Sequence, residues 1–150
     1  MHAEILKPVT VLAVWTLFMW LWMYATRLPA VARLPKSNEP GADIGWTGAK
    51  LEALLDPKIQ WKAHNYNHLH EAPTVFYAVA LVLAIVGQGD GFNATIAWIY
   101  VGLRIVHSLW QATVNKVMIR FLLFALSSLA LLILAVHALV GAFGGQLPHH

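Results

Sequence analysis

The residues with the clearest chemical potential are ionisable side chains that fall inside long apolar stretches. A charged group in the hydrocarbon of a membrane costs about 2.5–3.5 kcal/mol by insertion scales, so such residues are functional candidates by default. The charged members are Glu71, Arg104 and Arg120. The histidines that accompany them are His64, His68, His70, His107 and His137. On residue types alone, the set suits either a ligand site or a structural ion pair between Glu71 and Arg104.

The spacing of these residues places them on two helical faces. His64, His68 and Glu71 recur at i, i+4 and i+7, and a second stripe of Arg104, His107 and Gln111 has similar helical spacing. At 1.5 Å per residue, Glu71 and Arg104 lie about 13–15 Å from the same end of their helices. Arg120 lies about one turn into the last helix. The pattern predicts a polar cleft in one half of a helix bundle, away from His137.

A metal or haem site is an alternative interpretation of the first stripe, because imidazole and carboxylate groups suit zinc and iron. Bundle di-iron sites use several carboxylates, whereas this stretch has Glu71 alone. We therefore expect no metal. The chain has no cysteine, which excludes a disulfide, a thiolate ligand and a cysteine nucleophile. It also has no P-loop, dinucleotide fingerprint or G-x-S-x-G motif.

Composition indicates that membrane helices position these residues. The 150 residues are 59% hydrophobic and 11% charged, whereas globular domains are about 25% charged. At about 20 residues per span, the sequence predicts an all-α integral membrane protein, a single domain with a bundle of four transmembrane helices. The predicted spans are about 8–26, 61–87, 93–113 and 117–142, with a loop at about 27–60. We further expect a short helix at about 48–55 in that loop and a kink just before Pro73.

Basic residues beside the apolar runs predict the orientation of the chain. The first and third loops carry most of the lysines and arginines, whereas the second loop has only Asp90. By the positive-inside rule, the first and third loops are cytoplasmic, and both termini lie on the opposite side. This distribution explains the formal net charge of +3 without a nucleic-acid partner, and we expect none.

Three segments, taken together, resemble the MAPEG family, the membrane-associated proteins in eicosanoid and glutathione metabolism. They are residues 65–77 (NYNHLHEAPTVFY), 97–108 (AWIYVGLRIVHS) and 115–121 (NKVMIRF). The likeness is greatest to bacterial members, which implies a bacterial plasma membrane. It also implies a homotrimer of four-helix subunits that binds glutathione between neighbouring subunits, toward the cytoplasmic side. The implied activity is transfer of glutathione to lipophilic substrates, or reduction of their peroxides.

The resemblance also assigns roles to individual residues. Glu71, Arg104 and His107 match family positions that contact glutathione, and Arg120 matches an arginine near its sulfur. Such an arginine favours the thiolate over the thiol, because a nearby cation stabilises the charged form. The nucleophile then belongs to glutathione, so the absence of cysteine from the chain is no obstacle.

Four positions depart from the family pattern. His68 replaces a usual asparagine, His64 an arginine, and Gln111 and Phe124 replace tyrosines. His64, His68 and Gln111 are still expected to line the glutathione site, but a guanidinium and two phenols are lost. These departures motivate a second interpretation, a non-catalytic protein of the MAPEG fold that binds lipid or a partner membrane complex.

Overall fold

The computed structural model describes residues 3–35 and 47–144, and within those ranges the chain is helical without strands. The helices are α1 (Leu6–Ala32), α2 (Gly48–Leu54), α3 (Pro57–His68), α4 (Ala72–Ile85), α5 (Phe92–Thr113) and α6 (Val117–Gly144). The middle of the predicted first loop, residues 36–46, lies outside the described residues. Helix α1 continues past the predicted span 8–26, and α2 occupies the predicted short helix.

Three stretches of the described chain are long and apolar enough to cross a membrane: Leu6–Ala32, Pro57–Ile85 and Val117–Gly144. They indicate a multi-pass membrane protein. Helix α5 has 22 residues and reaches about 33 Å, enough for a hydrocarbon core of about 30 Å. It is less apolar than the other three because it carries Arg104 and several uncharged polar residues, and most of these face the interior.

The interruption between α3 and α4 lies at residues 69–71, just before Pro73, where the sequence predicts a kink. Proline has no backbone N–H to donate to the carbonyl four residues earlier, so a continuous helix is broken here. Pro73 is tolerated in the first turn of α4, where that N–H is not needed. The Thr74 hydroxyl donates to the Glu71 carbonyl at 2.6 Å and fixes the new start. This break leaves the side chains of His70 and Glu71 exposed.

The bundle has two ends, which we name by their loops. At the Asp90 end, the start of the chain contacts the α4–α5 loop: the Glu4 N–H donates to Asp90 Oδ1 and the Ile5 N–H to the Gly89 carbonyl, each at 2.8 Å. At the Asn115 end, α5 turns into α6 through Asn115, which has a φ of 53°. Asparagine adopts this left-handed conformation more readily than most residues.

The apolar core joins all four long segments. Helix α5 packs against α6, α1 and α3, and α4 packs against α6 and α1. Phe76 stacks on Tyr100 with ring centroids 4.4 Å apart. Leu12, Leu83 and Leu134 are fully buried in the same core cluster. The core therefore fixes α5 in the centre of the packing, with its polar stripe held against α3.

Candidate functional site

A layer of buried polar side chains lies where α3 packs against α5, in the half of the bundle toward the Asn115 end. Burial of so many polar groups is costly unless they are bonded to one another or to a ligand. We call this set the polar layer. Its members are Gln60 and Asn65 from α3, with Arg104, His107, Ser108 and Gln111 from α5.

The two helices are joined in this layer by a direct hydrogen bond between side chains. Asn65 Nδ2 donates to Ser108 Oγ at 2.5 Å, and both residues are fully buried. Counted from the start of α3 and the end of α5, the pair lies about 8–12 Å from the Asn115 end. Asn65 Oδ1 has no partner among the described residues, so the amide oxygen still has both of its acceptor sites unused.

Arg104 is the charged member of the layer and is only 2% exposed. Its Nε donates to the Tyr100 hydroxyl at 3.2 Å. Its guanidinium carbon lies 5.5 Å from the centre of the Tyr100 ring and 5.3 Å from that of Phe124. The Nη2 atom has no hydrogen-bond partner in the described part of the chain. Aromatic faces attract a cation, but they do not neutralise it, and no carboxylate in residues 3–35 and 47–144 pairs with this guanidinium.

The interhelical ion pair between Glu71 and Arg104, one of the interpretations open from sequence, is not formed between the described residues. Glu71 Oε2 contacts His68 Nδ1 at 2.8 Å instead, and Arg104 donates to Tyr100. The physical reason is the break before Pro73. It places Glu71 in the connection between helices, where its side chain is 62% exposed, whereas Arg104 points into the bundle.

His107 and Gln111 complete the α5 stripe that the sequence predicts. His107 is 5% and Gln111 is 1% exposed, and Gln111 Oε1 has no partner. The amide thus occupies the interior but is not satisfied there by the described residues. An unsatisfied buried acceptor costs about 1–3 kcal/mol, and a hydrogen-bond donor at this atom would remove that cost.

The α3 stripe lies on the surface of the chain. His64 Nε2 contacts Glu52 Oε1 of α2 at 2.8 Å, and the His64 side chain is 40% exposed. The His68 side chain is 43% exposed beside Glu71. We call His64, His68 and Glu71 the surface group. The two predicted stripes therefore differ in burial, because the α5 stripe faces the interior whereas the surface group is partly exposed.

Arg120 lies at the Asn115 end, one turn before Phe124 on α6. Its Nη1 donates to Asn115 Oδ1 at 2.8 Å, and the side chain is partly buried. The hydrogen bond orients the guanidinium without neutralising its charge. His137 lies at the opposite end, where its Nδ1 contacts Asn93 Oδ1 at 2.6 Å, and it takes no part in the polar layer.

Gln60, Asn65 and Ser108 are the members of the layer that sequence reasoning missed. Ser108 carried a usable signal, because it stands four residues after Arg104 and three before Gln111 on the same helical face. Asn65 carried none, because its bond to Ser108 depends on how α3 is rotated against α5. Serine and asparagine are also uncharged, and a search for ionisable residues in apolar runs passes over them.

The unpartnered atoms give the layer a definite chemical character. Of the seven buried side-chain nitrogen and oxygen atoms without a partner in the described part of the chain, four belong to it: Gln60 Nε2, Asn65 Oδ1, Arg104 Nη2 and Gln111 Oε1. They comprise two donors and two acceptors, with one positive charge. Such a set suits a ligand that carries a carboxylate together with amide or ammonium groups.

No group of three or more histidine, aspartate or glutamate side chains that could hold a metal ion occurs within residues 3–35 and 47–144. The alternative interpretation of a metal or haem site therefore gains no support from the geometry. His64 and His68 are each paired with a glutamate, as described above.

Comparison with protein families matches residues 5–140 to the MAPEG family. The match covers α1 to α5, the polar layer and α6 as far as residue 140. The chain belongs to the MAPEG family. Comparisons with curated proteins and with solved structures gave no match. Membership supports a membrane function related to glutathione or eicosanoid metabolism, and it confirms the resemblance seen in residues 65–77, 97–108 and 115–121.

Proposed function

We propose that this MAPEG protein is an enzyme that binds glutathione at the polar layer and uses its thiolate on lipophilic substrates. The observation that carries the proposal is Arg104, a buried cation without an anion among the described residues. A buried charge is retained where a partner compensates it. The carboxylates of glutathione would supply that partner, and its amides match the unpaired atoms of Asn65 and Gln111.

A second copy of the chain would complete the site. The surface group presents a carboxylate and two imidazoles within the membrane-crossing stretch Pro57–Ile85, and contact of such groups with lipid is unfavourable. Packing against a neighbouring subunit would cover them and place Glu71 beside the ammonium of a glutathione bound next door. We infer the homotrimer from the family and from this need for cover.

Arg120 would stabilise the sulfur of the bound tripeptide. A guanidinium favours the thiolate, which is the nucleophilic form. In conjugation, the thiolate forms a carbon–sulfur bond and the leaving group departs with its electron pair. In peroxide reduction, two glutathione molecules are oxidised to the disulfide, and the hydroperoxide is reduced to an alcohol and water. Phe124 contributes an apolar wall and no hydroxyl, so Arg120 would stabilise the sulfur without help from a phenol.

The topology of the proposal has four spans, with α5 as the third. Burial of its polar residues by α3 and α6 lets this helix cross the bilayer without exposing them to lipid. The Asn115 end would face the cytoplasm, because Lys116 and the basic residues around α2 and α3 lie there. Lipophilic substrates would then reach the site from the membrane, and glutathione from the cytoplasm.

Turnover assays on detergent-purified protein test the activity. The protein is incubated with glutathione and panels of electrophiles and lipid hydroperoxides, and the products are identified by mass spectrometry. We expect Arg120→Ala to lower turnover about 100-fold or more, the scale of a lost electrostatic stabiliser, while Arg120→Lys retains part of it. Lys116→Ala, an exposed cation at the same end, is the matched control and should leave turnover unchanged.

The two interpretations of the family fold give different results in this assay. If Arg120→Ala kept full turnover, the arginine would have no role at the sulfur. Loss of the oligomer in that variant would show that the arginine is structural. Glutathione binding without any turnover would favour the non-catalytic alternative, in which the polar layer holds a thiol peptide or a lipid headgroup without reaction.

A further inference from the structure

An apolar groove runs along the outer face of α1, over the half of that helix nearer the Asp90 end, and reaches Ile105 of α5. It encloses about 450 Å³, within the range of about 300–1,000 Å³ that is usual for small-molecule sites. We call it the α1 groove. It is lined by Thr10, Val11, Val14, Trp15, Phe18 and Ile105. The hydroxyl of Thr10 already has a hydrogen-bond partner, because Thr10 Oγ1 donates to the Leu6 carbonyl at 2.9 Å.

The groove continues to the Asp90 end through a second hollow that shares Thr10 and Val11. This hollow encloses about 390 Å³ and is also lined by Glu4 and Lys7. Those two side chains form an exposed ion pair, with Lys7 Nζ 2.6 Å from Glu4 Oε2. The α1 groove therefore continues to the start of α1, where one positive and one negative side chain lie beside it.

The length of the α1 groove matches the thickness of one leaflet of a bilayer. Lys7, Val11, Val14 and Phe18 follow the spacing i, i+4, i+7 and i+11, so they lie along one face of α1. The distance from Lys7 to Phe18 is about 17 Å, close to half of a hydrocarbon core of about 30 Å. Phe18 closes the inner end, with its ring 5.1 Å from that of Trp15.

We propose that the α1 groove binds one phosphatidylethanolamine molecule, with an acyl chain along Val11, Val14 and Phe18 and the headgroup on the Glu4–Lys7 pair. The lipid phosphate accepts hydrogen bonds from the Lys7 ammonium, and the lipid ammonium donates to the Glu4 carboxylate. Phosphatidylglycerol offers no cation to Glu4, and the choline group of phosphatidylcholine has no N–H to donate. Charge complementarity and the N–H donors of the headgroup together therefore select phosphatidylethanolamine.

Native mass spectrometry of the full chain in detergent tests this proposal. The protein is mixed with equal amounts of phosphatidylethanolamine, phosphatidylglycerol and phosphatidylcholine that carry the same acyl chains. We expect about tenfold preferential retention of phosphatidylethanolamine, the effect of one charge-assisted hydrogen bond. Equal retention of the three lipids would overturn the proposal.

Two variants locate the site. Val14→Trp fills the groove and should lower phosphatidylethanolamine retention about tenfold or more, whereas Val136→Trp is the matched control on the exposed face of α6. Val14 is 60% exposed and Val136 is 49% exposed. Equal retention by these two variants would overturn the proposal. Glu4→Gln, an exposed change that spares the fold, should shift preference toward phosphatidylglycerol by leaving Lys7 unpaired; an unchanged preference would contradict the assigned headgroup contact.

Discussion

Loss of the Ser108 hydroxyl should destabilise the protein more than its small size suggests. In Ser108→Ala, Asn65 keeps its place in the interior, but Nδ2 loses its only described acceptor. Asn65 Oδ1 is already without a partner. The substitution therefore leaves a whole carboxamide unsatisfied in a fully buried position.

The magnitude follows from the number of groups left without a bond. A buried polar group without a partner costs about 1–3 kcal/mol, and the serine-to-alanine change leaves no large cavity. We expect Ser108→Ala to lower the free energy of unfolding by about 1–3 kcal/mol. Adding Asn65→Leu removes the orphaned carboxamide. Replacing both partners of a buried hydrogen bond by apolar groups is nearly neutral for stability. The double variant should thus be more stable than Ser108→Ala alone.

Equilibrium unfolding of the detergent-solubilised protein, followed by circular dichroism, measures these differences. The four proteins required are the wild type, the two single variants and the double variant, which form a double-mutant cycle. We expect a coupling energy near the upper part of the range for membrane proteins, about 1–1.7 kcal/mol. Helical content in the folded baseline should be the same in all four.

Two results would refute this reasoning. Ser108→Ala with wild-type stability would mean that the Asn65 amide finds another partner, and that the α3–α5 bond contributes nothing. Strictly additive losses in the double variant would mean that the two side chains act independently. Either result would remove the physical basis for treating α3 and α5 as one rigid wall of the site.

Three further predictions concern other parts of the molecule. Arg104→Met should fold with unchanged helical content but should not be stabilised by glutathione. For the wild type, glutathione at a concentration 100 times its dissociation constant should add about 2.7 kcal/mol of stability. Thermal melts with and without glutathione measure this difference, and equal stabilisation of both proteins would contradict the prediction. Gly89→Ala should lower the free energy of unfolding by about 1–3 kcal/mol through overpacking, because the new Cβ would lie 2.8 Å from Ala3 Cβ and 2.9 Å from Ile5 Cγ2. Gly48→Ala is the control, because a Cβ at Gly48 meets open space. Equal melting temperatures of the two variants would refute the contact. Asn115→Ala should cost about 1–2 kcal/mol through its positive φ, whereas Asn115→Gly should retain the turn; the opposite order of melting temperatures would contradict the left-handed assignment.

The buried stripe on α5 could be predicted from sequence because helical periodicity alone decides which residues share a face. Arg104, His107 and Gln111 therefore appear together in both the pattern and the structure. The stripe of His64, His68 and Glu71 shares a face equally well, but periodicity does not say which face turns inward. The face that turns inward is decided by packing. In α3 the buried polar side chains are those of Gln60 and Asn65, whereas His64 and His68 stay partly exposed.

The direction of Glu71 was beyond prediction for a related reason. Pro73 indicates a break in the helix, and the structure has one. The new direction of the chain depends on the backbone angles of the connection, and Glu71 adopts φ −92° and ψ −102° there. A carboxylate that a continuous helix would hold at a set angle to Arg104 is instead turned outward to His68. Similar depth in the membrane was therefore insufficient to predict an ion pair.

Glutathione binding to the detergent-purified wild-type protein tests the central claim most directly. Calorimetry measures the affinity, and ultraviolet absorbance of the same samples across neutral pH detects the thiolate. The control ligand is the tripeptide with alanine in place of cysteine, which keeps both carboxylates but has no sulfur. We predict that both peptides bind and that glutathione alone gives a thiolate signal at neutral pH. Absence of binding at millimolar glutathione would contradict the account, because the polar layer around Arg104 would then serve some other ligand.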